Sequence, residues 1–250
     1  MIYGLNFEQC LRDAYRLLIS DNAPDHGNSL YRAVADLGFF RPSLNHDAVK
    51  TRRVLEFGAA LRTANGPGRH IAEERLLKDL SGLAYECCLT VQEARKKSAP
   101  DAPPTQESPA DPHEPMQVLR ALAEFALTSL HFQRPYDTFG GRRRGAAFGM
   151  LGRIARVMEV PDALPLATAA LRKPRSIESL EAAQFIESYL CARDLAPDDQ
   201  IVARLLKLAE VTPSRVTAST ALEALVKIGA ISDSEAWERF DDWEQQRRPC

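Results

Sequence analysis

Residues 98–115, SAPDAPPTQESPADPHEP, constrain this chain more than any other stretch. Six prolines stand among Ser, Asp and Glu, with almost no bulky apolar side chain. Proline lacks a backbone donor and its ring clashes with the preceding turn, so neither a helix nor a central strand runs through such a segment. The composition predicts an exposed, extended linker. It separates an N-terminal block, 1–97, from a C-terminal block, 116–250. The chain is 45% apolar, enough to offset its ordering entropy, which excludes disorder as a whole. Five cysteines in 250 residues exclude a disulfide scaffold.

The N-terminal block reads as four helices. Asn6 caps the first, with Gln9 three residues on as in a capping box, and Phe7, Leu11, Ala14 and Leu18 recur at helical spacing. Ser29 starts the second, striped by Leu30, Val34 and Leu37 and closed by Gly38. The third runs from Asn45 to about Asn65, with Val54, Phe57 and Leu61 inward. The fourth, from about Gly68 to Lys97, buries Leu76, Leu80, Leu83, Cys87, Val91 and Ala94. Its final Arg95, Lys96 and Lys97 suit the negative end of a helix. Antiparallel packing as a bundle hides these stripes.

The C-terminal block has shorter elements, predicted at about 115–131, 144–158, 162–172, 177–193, 198–210, 214–229 and 233–246. Two turn-plus-helix units align: KPRSIESLEAAQFIESYL (173–190) and TPSRVTASTALEALVKIG (212–229), at an offset of 38 or 39. Pro174 lies opposite Pro213, and Ala183 on Ala221. A looser third unit, 143–158, places Ala147 ahead of Ala183 by 36. Small residues on one helix, a proline at the preceding turn and a period near 40 mark stacked helix pairs. On these residues the segment 115–246 resembles the HEAT-like, armadillo-type α-solenoid repeat proteins. The fold class expected is therefore all-α, an N-terminal helical bundle followed by HEAT-like antiparallel helix-pair repeats. The resemblance implies a surface that holds other macromolecules, and it carries no catalytic residue.

Thirty-two basic side chains against thirty-four acidic ones leave a net charge of −2, so no general attraction to nucleic acid or an anionic membrane follows. The first thirteen residues lack the pattern of a secretory signal, no run of 18 apolar residues occurs, and Cys250 is misplaced for prenylation. The expectation is a cytoplasmic protein with no membrane partner.

No motif for catalysis or cofactor binding is present. The five histidines never fall three or four apart, HExxH and CxxC are absent, and the adjacent Cys87 and Cys88 point about 100° apart on a helix. Those two cysteines read as small buried side chains. DNAPDHGN (21–28) resembles a calcium loop only in passing, with Ala23 at its third position. There is no GxxxxGK[ST], no GxSxG, and the glycines at 140–152 follow no strand; Gly149 and Gly152 read as helix-packing positions. No metal, cofactor or enzymatic activity is expected.

Two features remain. TFGGRRRGAAFGMLGRIAR (138–156) carries Arg142, Arg143, Arg144, Arg153 and Arg156 with no acid among them, and His131, Arg134 and Tyr136 lie just upstream. Arginines beside a helix start can grip phosphate through guanidinium forks and free amides. The plainer alternative is a solvated loop whose arginines pair with acids elsewhere. SDSEAWERFDDWEQQRR (232–248) sets Trp237, Phe240 and Trp243 three apart among Glu and Asp. These aromatics either cap the end of the repeat array or dock a basic partner. The leading expectation is a non-catalytic protein-protein interaction module, such as an adaptor, chaperone, inhibitor or accessory subunit of a larger complex. The rival is nucleic-acid binding through the Arg142–Arg156 patch. HEAT-like DNA glycosylases are similar in length and helix pairing, but they need a basic concave face, and here both tryptophans stand at the acidic end.

Overall fold

A computed structural model describes residues 6–20, 26–45, 47–64, 68–97, 113–132 and 140–247. Among these residues the fold is all-α, and it forms two compact units, Met1–Phe132 and Gln133–Cys250. No described helix is long and apolar enough to cross a membrane.

Unit 1 contains α1 (Phe7–Ile19), α2 (His26–Gly38), α3 (Arg41–Leu44), α4 (Ala48–Thr63), α5 (Arg69–Lys97) and α6 (His113–His131). Every apolar stripe predicted for the N-terminal block is buried, from Phe7 through Ala94. The boundaries differ for local reasons. Asn6 does cap α1, accepting from the Glu8 amide at 2.9 Å, but Gln9 turns outward to Asp13 and closes no capping box. The helix expected from Asn45 begins three residues later, at Ala48, and a short unforeseen turn of helix, α3, precedes it. Pro42, which needs no amide partner in a first turn, sits in the short α3. Asp47 then starts α4 by accepting from the Lys50 amide at 2.8 Å.

The helix α6 is the main difference from the sequence reading. The proline-rich break places it at the head of the C-terminal block and extends the linker to 115, whereas it begins at His113 and packs against α4 and α5 inside unit 1. Its Val118, Leu119, Leu122 and Phe125 are all buried there. Arg62 of α4 ties the three helices together. Its Nε donates to Oε1 of Glu73 on α5 at 3.1 Å, and its Nη2 donates to Oγ of Ser129 on α6 at 2.6 Å. The guanidinium also lies over the Phe125 ring, 4.4 Å from its centroid.

Unit 2 contains α7 (Gly140–Ile154), α8 (Ala163–Ala170), α9 (Ile177–Cys191), α10 (Asp199–Val211), α11 (Arg215–Lys227) and α12 (Asp233–Gln245). The last four start within one residue of expectation, because Ser176, Asp198, Ser214 and Ser232 each accept an amide of the following first turn. α7 packs on α9 and α9 on α11, while α8 flanks α9 and α10 flanks α11. Several polar links among α7 to α11 share a similar span. Arg144 to Glu178, Arg193 to the Ala155 and Met158 carbonyls, Arg204 to the Thr168 carbonyl, Thr212 to the Pro174 carbonyl and Lys227 to Glu187 each join residues 34 to 40 positions apart. Glycines let α7 and α9 approach closely. A Cβ added at Gly145 would lie 3.3 Å from Ile177, and one added at Gly152 would lie 3.4 Å from the Phe185 backbone.

Candidate functional site

α12 leaves a groove against α11. One wall is Ser219, Leu222, Glu223, Val226 and Lys227, the other Asp233, Ala236, Trp237 and Phe240, and they enclose about 290 Å³. Both walls therefore carry the i, i+3, i+4, i+7 spacing of a single helical face. Leu222, Val226, Ala236, Trp237 and Phe240 supply apolar lining, and Glu223, Lys227 and Asp233 bring the charges.

The three aromatics of α12 do not act together. Residues three apart on a helix are rotated by about 60°, so the first and last of the trio diverge by about 120°. Trp243 turns inward, 8% exposed, and its Nε1 donates to the Thr212 carbonyl at 2.9 Å. Arg247 covers its ring, with the guanidinium 4.5 Å from the centroid. Phe240 stacks on Trp243 at 5.8 Å, carries the Arg215 guanidinium 5.6 Å from its centroid, and lines the groove. Trp237 is 68% exposed at the groove margin. One tryptophan thus fixes the helix, and the other stands in solvent.

The electrostatics of the groove follow from who pairs with whom. Lys227 is engaged by Glu187 of α9 at 2.8 Å, and that hydrogen bond holds its ammonium above the usual lysine range. Glu223, four residues earlier on the same wall, acts on it as well. Glu223 and Asp233 form no ion pair with a described residue. Asp233 and Asp241 stand one turn before and after Trp237, and Asp241 and the adjoining Glu238 are exposed. The groove is apolar within and acidic at its margin. Beyond α12, a polar hollow of about 400 Å³ lies between its other face and α10, bordered by Lys207, Glu210, Arg239 and Asp242.

The arginine cluster is dispersed by the helix it belongs to. α7 begins at Gly140, four residues earlier than expected, so Arg142, Arg143 and Arg144 are its third to fifth residues, about 100° apart. Arg142 is exposed, Arg143 is buried, and Arg144 donates to the buried Glu178 at 2.6 Å. Lys173 approaches the same carboxylate at 3.2 Å. Arg153 and Arg156 are exposed, and Arg134 and Tyr136 lie outside the described residues. Among the described residues no three His, Cys, Asp or Glu side chains gather as metal ligands. Cys87 and Cys88 are buried, and burial pushes the Cys87 thiol up to about 12, far from a reactive thiolate.

Sequence reasoning reached Trp237 and Phe240 but not Leu222, Val226 or Ala236, whose small and aliphatic side chains carry no signal that separates a groove from a core. Glu223 and Asp233 left no signal beyond general acidity. No protein-family model matches the chain, and no curated protein sequence matches it.

Proposed function

We propose that this chain is a non-catalytic protein-binding module whose partner docks in the α11–α12 groove. The observation that carries the reading is Trp237, a large aromatic standing in solvent beside an apolar groove, on a helix whose position is secured by a different tryptophan. Binding hot spots are enriched in Trp and sit in well-packed pockets of the interface. The HEAT-like resemblance supports it, as do the several polar links among α7 to α11 that span 34 to 40 residues, which suit repeats that touch only their neighbours. An adaptor or accessory subunit of a larger complex fits this reading.

Nucleic-acid binding through Arg142–Arg156 draws less support, because Arg143 is buried and Arg144 is paired with Glu178. The test is cross-linking of the chain and its Trp237→Ala variant in cells of its source, with partners identified by mass spectrometry. A defined set of proteins joined to the original chain and lost from the variant is expected. Recovery of no protein, or of the same set with both chains, rejects the reading.

A further inference from the structure

We infer that the α11–α12 groove takes a cationic amphipathic helix of a partner protein, with apolar side chains against Leu222, Val226 and Phe240 and Lys or Arg at the acidic margin. The inference rests on the groove being the docking site and adds the chemistry of its occupant. Shape comes first. Two antiparallel walls with matching helical ladders form a trough that a third helix enters with its own i, i+3, i+4, i+7 face. At about 290 Å³ the groove falls at the low end of ligand pockets, which run ~300–1,000 Å³, so it suits a row of side chains better than an enclosed cofactor.

Charge decides the partner's sign. Lys227 is the cation on the walls, and Glu187 holds it from outside the groove. Glu223 lies on one wall and Asp233 on the other, with Glu238 and Asp241 exposed beside Trp237. An acidic helix meets these carboxylates with only Lys227, already engaged by Glu187 and Glu223, to offset them on the walls, whereas Lys and Arg side chains meet acids on both sides. The exposed indole face adds a cation–π site for a guanidinium or ammonium arriving between Asp233 and Asp241.

The experiment uses the full chain and two labelled peptides of about 14 residues, ~20 Å of helix. Both place Leu at helical spacing; one carries Lys at the polar positions and the other Glu. Binding is read by fluorescence anisotropy at ~50 mM and ~200 mM salt. The Lys peptide is expected to bind, to weaken at the higher salt, and to lose about tenfold or more in affinity with Trp237→Ala and with the pair Glu223→Lys and Asp233→Lys. Glu159→Lys, at an exposed acid outside the groove, should leave its affinity unchanged. Two results overturn the cationic assignment: equal binding of the Glu peptide, or Lys-peptide binding indifferent to the groove substitutions. If the Glu peptide binds and Trp237→Ala abolishes that binding, the groove remains a docking site and the sign of its occupant is wrong. If neither peptide binds, the occupant assignment fails, and the cellular cross-linking then decides separately whether the groove binds protein. Sedimentation of both chains completes the set, since a dimer lost with Trp237→Ala would make a second copy the occupant.

Discussion

Arg62 and Glu73 meet in the interior of unit 1 with 3% and 0% of their side chains exposed. A buried pair of this kind stabilises little against well-packed apolar residues, yet removing one partner strands the other charge. Arg62→Ala is expected to cost ~3–5 kcal/mol in urea denaturation. The combined Arg62→Met and Glu73→Leu should cost much less than the sum of the single changes, because the two substitutions relieve each other. Nothing in the sequence marks this pair. Arg62 and Glu73 each look like polar positions on an amphipathic helix, and Arg62 is held inside in part by α6, through Ser129 and the Phe125 ring. Asp47 is the opposite case, a local signal with a local consequence. The Lys50 ammonium and the Lys50 backbone amide hold its carboxyl below the usual carboxylate range. A lowered folded value means that its contribution is present above the unfolded value of ~3.9 and is lost as pH falls through the folded one. Asp47→Ala should therefore cost ~1 kcal/mol near neutral pH. The gap between the two proteins should close in denaturation curves taken at successively lower pH.

At the scale of one element, α12 shows how a helix can be both fixed and available. Trp243, the Arg215–Glu244 pair at 2.9 Å and the hydrogen bond from Arg247 to the Glu210 carbonyl at 3.0 Å all engage its C-terminal half. The N-terminal half carries Trp237 and stands beside the groove. Trp243→Ala removes a packed aromatic and orphans the Thr212 carbonyl, so a loss of ~3–5 kcal/mol is expected in thermal or chemical denaturation. Trp237→Ala, on the same helix, should change stability by no more than ~0.5 kcal/mol. Equal effects would mean that both tryptophans are structural and that the groove is closed in solution. The residue types and the acidic setting were legible in the sequence. Their division of labour was not, because spacing by three looks like one face until the neighbouring helices choose which side is covered. α7 carries the same lesson, since three consecutive arginines form a patch on paper and fan out around a helix in space.

For the whole molecule, the proline-rich segment is a strong boundary in composition and a poor one in tertiary structure. Helical content and the buried stripes were readable residue by residue, because periodicity is a local property. The division into units was not, because it depends on where α6 finds apolar partners, and those lie on α4 and α5, earlier in the chain than the break. The two divisions make different claims about what folds alone. A fragment of residues 1–97 lacks Leu119, Leu122 and Phe125, which are buried in unit 1, and lacks Ser129, which accepts from Arg62. It exposes the matching faces of α4 and α5 and leaves the Arg62–Glu73 pair open to water. A fragment of residues 1–132 retains all of these. Circular dichroism with urea titration is expected to give a cooperative transition for 1–132 and a broad or absent one for 1–97. Fragment 133–250 should unfold cooperatively, with Trp243 fluorescence reporting its transition, whereas 116–250 should gain nothing in stability from carrying α6. If 1–97 unfolds as sharply as 1–132, α6 is dispensable to the first unit, and the proline-rich segment is a domain boundary after all.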